Sequence, residues 1–167
     1  FSQPARVNTK TAERIHEAAR ELGFRLNPLA RALPTGRTHT LALLVADITN
    51  PVVFDIIRGA AREASLHDYT VIISESEESS ERELVDAQRL LPSVDGIILA
   101  TTRLDPPSIR ALAKSKRLVT INRDVGEAVA SVLPDLSTGV DEAVAHLAGL
   151  GHEVIGYVPG PTSSWIS

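Results

Sequence analysis

Apolar positions follow different patterns in the two parts of the chain. Residues 9–22 show the three-to-four spacing of an amphipathic helix, which Asn8 can cap and Gly23 can end. From residue 41 onwards, short continuous apolar runs alternate with amphipathic stretches. The pattern therefore predicts a helical segment followed by a mixed α/β structure. The helical spacing of the first part is carried by Ala12, Ile15, Ala19 and Leu22.

A second, much shorter helix is predicted at Pro28–Leu33. Asn27 can cap it, and a proline at the first position already has the backbone angle of a helix. Pro34 ends it, with Gly36 close behind. About six residues are too few for a helix to be stable alone, so this one needs something to pack against. A plain linker helix packed on the rest of the chain would meet that need.

The remainder of the chain predicts an α/β fold with a doubly wound parallel sheet. The run "LALLVA" at 41–46 has no polar position, as expected of a parallel strand buried on both faces. Strands and helices alternate with short connections, which is typical of such a fold. Strands are predicted at 41–46, 69–74, 96–100, 117–121, 130–134 and 153–158, and helices at 52–66, 80–91, 106–114 and 136–150.

Polar loops follow four of the predicted strands. They begin at Asp47, Ser74, Thr101 and Asn122, and they read "DITN", "SESEESS", "TTR" and "NRD". In open parallel sheets, ligands bind beyond the carboxyl ends of the strands. These loops are therefore the predicted binding region. The negative run "EESSERE" at 77–83 is expected to be a solvated loop and helix start.

Composition argues against several classes of site. The chain has no cysteine, which excludes a disulfide framework and a thiol nucleophile, and its five histidines show no metal-site spacing. No G-x-S-x-G, P-loop or G-x-G-x-x-G motif is present, so neither an enzyme nor a cofactor is expected. For Asp47, a turn or a ligand hydrogen bond is favoured over a phosphoacceptor or metal ligand. No apolar run is long enough to span a bilayer, and residues 1–25 lack an export signal.

The net charge of −4 is unevenly distributed. Residues 1–40 hold seven Lys or Arg and three Glu, a net charge of +4, whereas residues 41–167 hold ten Lys or Arg and eighteen Asp or Glu, a net charge of −8. A basic segment on an acidic body is expected when only that segment meets a polyanion. On charge alone, a solvated helix explains the segment equally well.

Four motifs together identify a resemblance. "NPLARAL", "TGRT…LALLVADITNP", "VDGIIL" and "HLAGLGH" occur in this order and extend over essentially the whole chain. In this combination the chain resembles the lactose-repressor (LacI/GalR) family of bacterial transcription regulators. The resemblance implies that residues 1–26 are the end of a helix-turn-helix headpiece and residues 27–40 a hinge helix with its linker. It implies that residues 41–167 are part of the N-terminal lobe of a periplasmic-binding-protein-like type I core, and that the chain is a fragment.

The resemblance also implies DNA contacts by the short helix. Asn27, Ala30 and Arg31 match positions that line the minor groove of the operator, and Leu33 matches a leucine inserted between base pairs. An apolar wedge partly unstacks a base step and kinks the duplex, which permits more contact. The expected partners are operator DNA, a second copy in a homodimer or tetramer, and a small-molecule effector, with no membrane.

The effector is expected to be a sugar or sugar derivative. Two departures from the family pattern are visible: Val52 and Val53 stand where two aromatic residues are frequent, and Asn122 stands where aspartate is common. Asparagine can both donate to and accept from a hydroxyl, so a polyol still fits. The residues implied in effector binding are Asp47, Asn50, Phe54, Thr101, Thr102, Asn122 and Arg123.

Two rival functions are weighed against a regulator. A periplasmic-type sugar-binding protein would share the lobe without binding DNA, and an enzyme of flavodoxin-like fold would share the sheet. The basic, capped segment before residue 40 disfavours the first, and the missing catalytic motifs disfavour the second. The expectation is thus an allosteric DNA-binding regulator of repressor type, located in the cytoplasm and, when bound to its operator, on the nucleoid.

Overall fold

The computed structural model describes residues 8–23, 35–160 and 164. The chain forms two compact units, Phe1–Thr38 and His39–Ser167. In the first unit, helix α1 spans Thr9–Glu21. The predicted short helix, with its proposed DNA contacts Asn27, Ala30, Arg31 and Leu33, lies outside the described residues.

Helix α1 begins at the predicted residue and ends one residue before the predicted end, and both of its ends are capped. The side chain of Asn8 accepts a hydrogen bond of 2.9 Å from the backbone N–H of Thr11. At the other end, Gly23 adopts a φ of +62°, a left-handed conformation that glycine takes without steric cost. The predicted helix is therefore confirmed.

The second unit is an α/β structure around a five-stranded sheet. All its strand pairs are parallel, and their spatial order is β2-β1-β3-β4-β5. The predicted fold class is confirmed. In chain order the elements are β1 (Thr40–Val45), α2 (Pro51–Leu66), β2 (Thr70–Glu75), α3 (Ser80–Leu90), a 3₁₀ turn (Leu91–Ser93), β3 (Gly96–Ala100), α4 (Pro106–Ser115), β4 (Arg117–Ile121), β5 (Ala130–Val132) and α5 (Ser137–Gly149).

Strand β1, which lies between β2 and β3, is buried on both faces. Its last four residues are at most 1% exposed, as the continuous apolar run predicts. Ala42 and Leu44 pack in one core with residues of α3 and α4, including Ala87 and Ile109. The alternate residues of β1 pack in a second core with α2, through side chains that include Leu43, Val45, Val53 and Ile57. The sheet is thus covered by helices on both sides of β1.

The chain order creates a crevice at the carboxyl edge of the sheet. After β1 the chain turns towards β2, and after β3 it turns in the opposite direction towards β4. Because β1 and β3 are neighbours, the loops after them diverge, and a crevice between them is expected. In open α/β sheets, such a topological switch point is where ligands bind.

The predicted sixth strand is wrong. Residues 153–158 have no strand conformation, and Val154 and Val158 are 89% and 93% exposed. An apolar run becomes a strand only when its backbone groups pair with a neighbouring strand, and no described strand pairs with this run. The preceding helix α5 has no buried residue either.

No helix within the described ranges combines the length and the apolar character needed to cross a membrane.

Candidate functional site

The loop after β1 supplies an ionised carboxylate. One carboxylate oxygen of Asp47 accepts the backbone N–H of Thr49 at 2.7 Å and its hydroxyl at 2.6 Å. The Thr49 hydroxyl, followed by its backbone N–H, holds the pKa of Asp47 below its ordinary value. The carboxylate of Glu75 at the end of β2 accepts the N–H of Ile48 at 2.8 Å. Asp47 therefore both forms its turn and presents a negative acceptor at the carboxyl edge.

The start of helix α2 places the next two predicted residues beside this loop. The side-chain oxygen of Asn50 accepts the N–H of Val52 at 3.1 Å, so Asn50 caps the helix, and Pro51 follows at its first position. The capping bond does not use the amide nitrogen of Asn50, which can donate to a ligand. Phe54, in the first turn, is half exposed, whereas its neighbour Val53 is 1% exposed.

The loop after β3 contains a strained residue. Thr101 has a φ of +57°, and it is the one β-branched residue among the described non-glycine residues of positive φ. Its N–H donates to the carbonyl of Ile121 at 3.1 Å, and its hydroxyl donates to the carbonyl of Ala100 at 2.6 Å. A β-branched side chain is rare in the left-handed region, where crowding costs on the order of 1–2 kcal/mol. Such strain is often found at functional sites.

The structure places Thr102 below the surface. This residue is 1% exposed, and its hydroxyl oxygen accepts the N–H of Leu104 at 3.1 Å. A direct contact between Thr102 and an effector stays a prediction, and it would require the loop to shift. In its present position the side chain shapes the loop that carries Thr101.

The loop after β4 brings two further predicted residues to the same edge. Asn122 has a φ of +60°, and its N–H donates to the carbonyl of Val132 at 3.0 Å. The guanidinium of Arg123 donates to the carbonyl of Leu104 at 3.2 Å, which ties this loop to the loop after β3. The buried Nε of Arg123 has no hydrogen-bond partner among the described residues. Arg123 thus retains donor capacity for a ligand.

Two arginines at this edge differ in their charge partners. The guanidinium of Arg103 forms an ion pair with Glu78 and donates to the carbonyl of Thr101 at 3.1 Å. Arg123 forms no ion pair within the described part of the chain. The guanidinium of Arg103 is therefore occupied by contacts between loops, and Arg123 is the better candidate to donate a hydrogen bond to an oxygen of a ligand.

The sequence prediction missed Glu83, a buried residue whose carboxyl group accepts a hydrogen bond from the loop after β3. Glu83 lies in α3 and is 0% exposed, so the expectation that the whole run 77–83 is solvated is wrong. The burial of Glu83 could have been predicted from helical spacing. Residues 83, 87 and 90 lie on one face of the helix, and Ala87 and Leu90 on that face pack in the core. An acidic residue on the apolar face of a helix predicts a buried carboxyl group.

The strained threonine gives a testable pair of substitutions. Asn122 holds a φ close to that of Thr101, and asparagine tolerates this region far better than threonine does. We expect Thr101→Asn to raise the free energy of unfolding by about 1 kcal/mol and the reciprocal Asn122→Thr to lower it by about the same amount. Urea denaturation of both variants measures this. Equal stability of Thr101→Asn and the unsubstituted protein would show that Thr101 carries no strain.

A second concave surface lies on the α2 side of the sheet. It is a groove of about 640 Å³ whose lining is almost entirely apolar, with Ile98, Val119 and Val132 on its sheet side. A polyol bound there would lose hydrogen bonds to water without replacing them. The carboxyl edge, with its carboxylate, amides, hydroxyl and guanidinium, suits a polar ligand better. No cluster of three or more metal-ligating side chains occurs within the described residues.

Comparison with a family model identifies the core. The model described as "Periplasmic binding proteins and sugar binding domain of LacI family" matches residues 38–167. Among solved structures, a LacI-family regulator from Lactobacillus casei with bound glucose aligns with a TM-score of 0.61 and 28% identity, over 68% of this chain and 43% of that one. The lac repressor dimer bound to operator and the anti-inducer ONPF aligns over 95% of this chain and 49% of that one, with a TM-score of 0.80. At 22% identity this second likeness shows the fold alone.

Curated relatives are transcription regulators. The HTH-type transcriptional regulator PtxS of Pseudomonas aeruginosa is 31% identical over 153 residues, and the HTH-type transcriptional repressor CytR of Escherichia coli is 30% identical over 161 residues. These alignments cover 90% and 95% of this chain but 45% and 47% of the relatives, so the chain spans just under half their length. On the match of the family model to residues 38–167, the chain belongs to the family of periplasmic binding proteins and sugar binding domains of the LacI family.

Proposed function

We propose that the complete protein carrying this chain is a DNA-binding transcriptional regulator of repressor type. Its affinity for operator DNA is set by a small effector, a sugar or sugar derivative, bound at the carboxyl edge. The observation that carries this proposal is the topological switch point between the ends of β1 and β3, beside which the loops after three strands carry polar side chains.

The chemistry of this edge supports a polyhydroxylated ligand. Asp47 offers an ionised acceptor, Asn50 and Asn122 offer amides that both donate and accept, and Arg123 offers a free donor. Phe54 presents a half-exposed ring on which an apolar face of a sugar can stack. A few convergent polar groups beside an apolar surface are typical of small-molecule sites.

The DNA-binding part of the proposal rests on the first forty residues. Their net charge of +4 suits a phosphate backbone, while the body of −8 does not. The alignment with CytR covers 95% of this chain, so it reaches well into these residues. This favours a regulator over a periplasmic-type sugar-binding protein. We assign residues 1–26 to a headpiece, 27–40 to the hinge and 41–167 to the effector lobe, in a cytoplasmic homodimer or tetramer.

The proposal is tested by DNA binding of the complete protein. Operator fragments are first selected from genomic DNA, and binding of a labelled fragment is then followed by fluorescence anisotropy with and without a panel of neutral sugars. We expect sequence-selective binding whose affinity changes with at least one sugar. Binding that ignores sequence would contradict the regulator, and selective binding that no sugar alters would contradict the effector class.

Asn50 allows its two roles to be separated. We expect Asn50→Ala to lower the free energy of unfolding by about 1 kcal/mol, because α2 loses its cap. Asn50→Ser keeps an oxygen that can cap the helix but removes the amide nitrogen. If Asn50 contacts the effector, both variants weaken sugar binding in calorimetry, while only the alanine variant loses stability. Wild-type sugar binding by Asn50→Ser would remove Asn50 from the site.

A further inference from the structure

Glu83 is a buried carboxyl group that forms no ion pair among the described residues. It is 0% exposed on α3, beside core residues such as Ala87. One carboxyl oxygen accepts the backbone N–H of Arg103 at 2.9 Å, and the other has no hydrogen-bond partner among the described residues. The guanidinium of Arg103 pairs with Glu78 instead. The structure therefore does not explain Glu83 as half of a buried ion pair.

A carboxyl group in this position is costly for the fold. Burying a charged or unpartnered polar group disfavours folding, and an apolar side chain of similar size at the same position would avoid that cost. Among the described residues, the backbone N–H that donates to Glu83 belongs to Arg103, in the loop between β3 and α4. The contribution of the carboxyl group that offsets this cost is therefore its contact with that loop.

Three sets of contacts hold the β3–α4 loop in place. From below, Glu83 accepts the N–H of Arg103. Within the loop, the Thr102 hydroxyl oxygen accepts the N–H of Leu104. From the side, the Arg103 guanidinium joins Glu78 of the neighbouring loop to the carbonyl of Thr101. These contacts fix the strained residue Thr101 at the border of the crevice, and Glu83 is the anchor that is itself fixed in the core.

We propose that Glu83 is a positioning residue, which holds the β3–α4 loop and with it Thr101 in the geometry required at the effector site. The claim that Glu83 holds the loop is based on the contacts of Glu83 alone. The reason for holding the loop rests on the proposed function. Because Glu83 is fully buried behind Thr102, it acts through the loop and does not touch the effector.

The anchoring is tested by hydrogen exchange at single-residue resolution on the complete protein. Glu83→Met keeps the length of the side chain and removes the acceptor, whereas Glu83→Gln keeps one acceptor oxygen. We expect the Arg103 amide to exchange at least about tenfold faster in Glu83→Met, because local opening no longer breaks a hydrogen bond. In Glu83→Gln the increase is smaller. The matched control Glu81→Gln, an exposed position on the same helix, leaves this amide unchanged.

Two results would overturn the anchoring. One is an Arg103 amide that exchanges equally fast in the unsubstituted protein and both Glu83 variants. The other is faster exchange spread over β1 and β3 to the same degree, which would mark Glu83 as part of the general fold. Should Glu83→Met not fold, Glu83→Gln gives the same comparison with a smaller expected change.

The effect of Glu83 on sugar affinity is tested by calorimetry with D-glucose and the other sugars of the panel. For a sugar that binds the unsubstituted protein, we expect a weaker Kd in Glu83→Met and partial recovery in Glu83→Gln, in parallel with the exchange rates. Unchanged affinity despite a loosened loop would overturn the link to the effector. If the unsubstituted protein binds no sugar, the proposed effector class fails, while the exchange rates still decide whether Glu83 holds the loop.

Discussion

Leu33→Ala in the complete protein is expected to weaken operator binding on the order of ten- to a hundredfold, equivalent to about 1.4–2.8 kcal/mol. The reason is the wedge role that Leu33 has in the proposed hinge helix. An inserted apolar side chain compensates for unstacked bases and keeps the duplex bent, so that more of the protein surface meets DNA. Alanine is too short to fill the opened step. Fluorescence anisotropy gives the affinity, and circular permutation of the binding site in the DNA fragment gives the bend angle.

Leu33→Met is the matched control for this experiment. Methionine is apolar, of similar volume and flexible, so it can still enter the base step. We expect it to retain most of the affinity and the bend. A bend angle that is the same in the unsubstituted protein and in Leu33→Ala would show that Leu33 is not the wedge, even if the affinity falls.

Glu83→Gln is expected to change how stability depends on pH. Burial raises the pKa of Glu83 above its ordinary value, and the nearby Thr102 hydroxyl, the Arg103 N–H and the Arg103 charge oppose this only in part. Between the ordinary pKa of 4.5 and the folded-state pKa, the folded protein therefore holds a proton that the unfolded chain has released. The stability of the unsubstituted protein, relative to Glu83→Gln, is greatest below that pH and falls as pH rises through the folded-state pKa.

Urea denaturation of both proteins between pH 4 and pH 8 measures this difference. The difference in free energy of unfolding changes by at most about 1.4 kcal/mol per pH unit while Glu83 titrates. Above the folded-state pKa this difference no longer changes with pH. Glu81→Gln serves as a control of opposite sign. The pKa of Glu81 is lowered, mainly by a backbone hydrogen bond, so its contribution is lost as pH falls. Parallel stability curves for the unsubstituted protein and Glu83→Gln would contradict the account of Glu83.

Local sequence patterns were sufficient to predict most of the fold. The continuous run at 41–46 predicts a strand buried on both faces, as β1 is, and Asn8 caps a helix as its position suggests. Alternation of strands and helices gives the parallel order, because parallel neighbours need a crossover between them. The predicted strand at 153–158 is wrong because pairing depends on a neighbour, and a local pattern carries no information about neighbours.

The sequence predicted that the loops of the candidate site share one edge of the sheet, but it did not predict the contacts within and between these loops. The rule that ligands meet the carboxyl ends of strands selects the loops that contain Asp47, Thr101 and Asn122, and the structure brings these loops to one edge. The strain at Thr101 and the burial of Thr102 depend on how the β3–α4 loop packs on α3. Such contacts join residues far apart in sequence, so spacing along the chain does not show them.

Hydrogen exchange of the complete protein, with and without the sugar that alters its DNA binding, tests the central claim most directly. If the effector binds between the carboxyl ends of β1 and β3, amides in the loops at 47–50 and 101–103 become protected. Amides at 67–69, at the opposite edge of the sheet, keep their exchange rates. Protection at 67–69 or in the apolar groove beside α2, with none at the carboxyl edge, would contradict the proposed effector site.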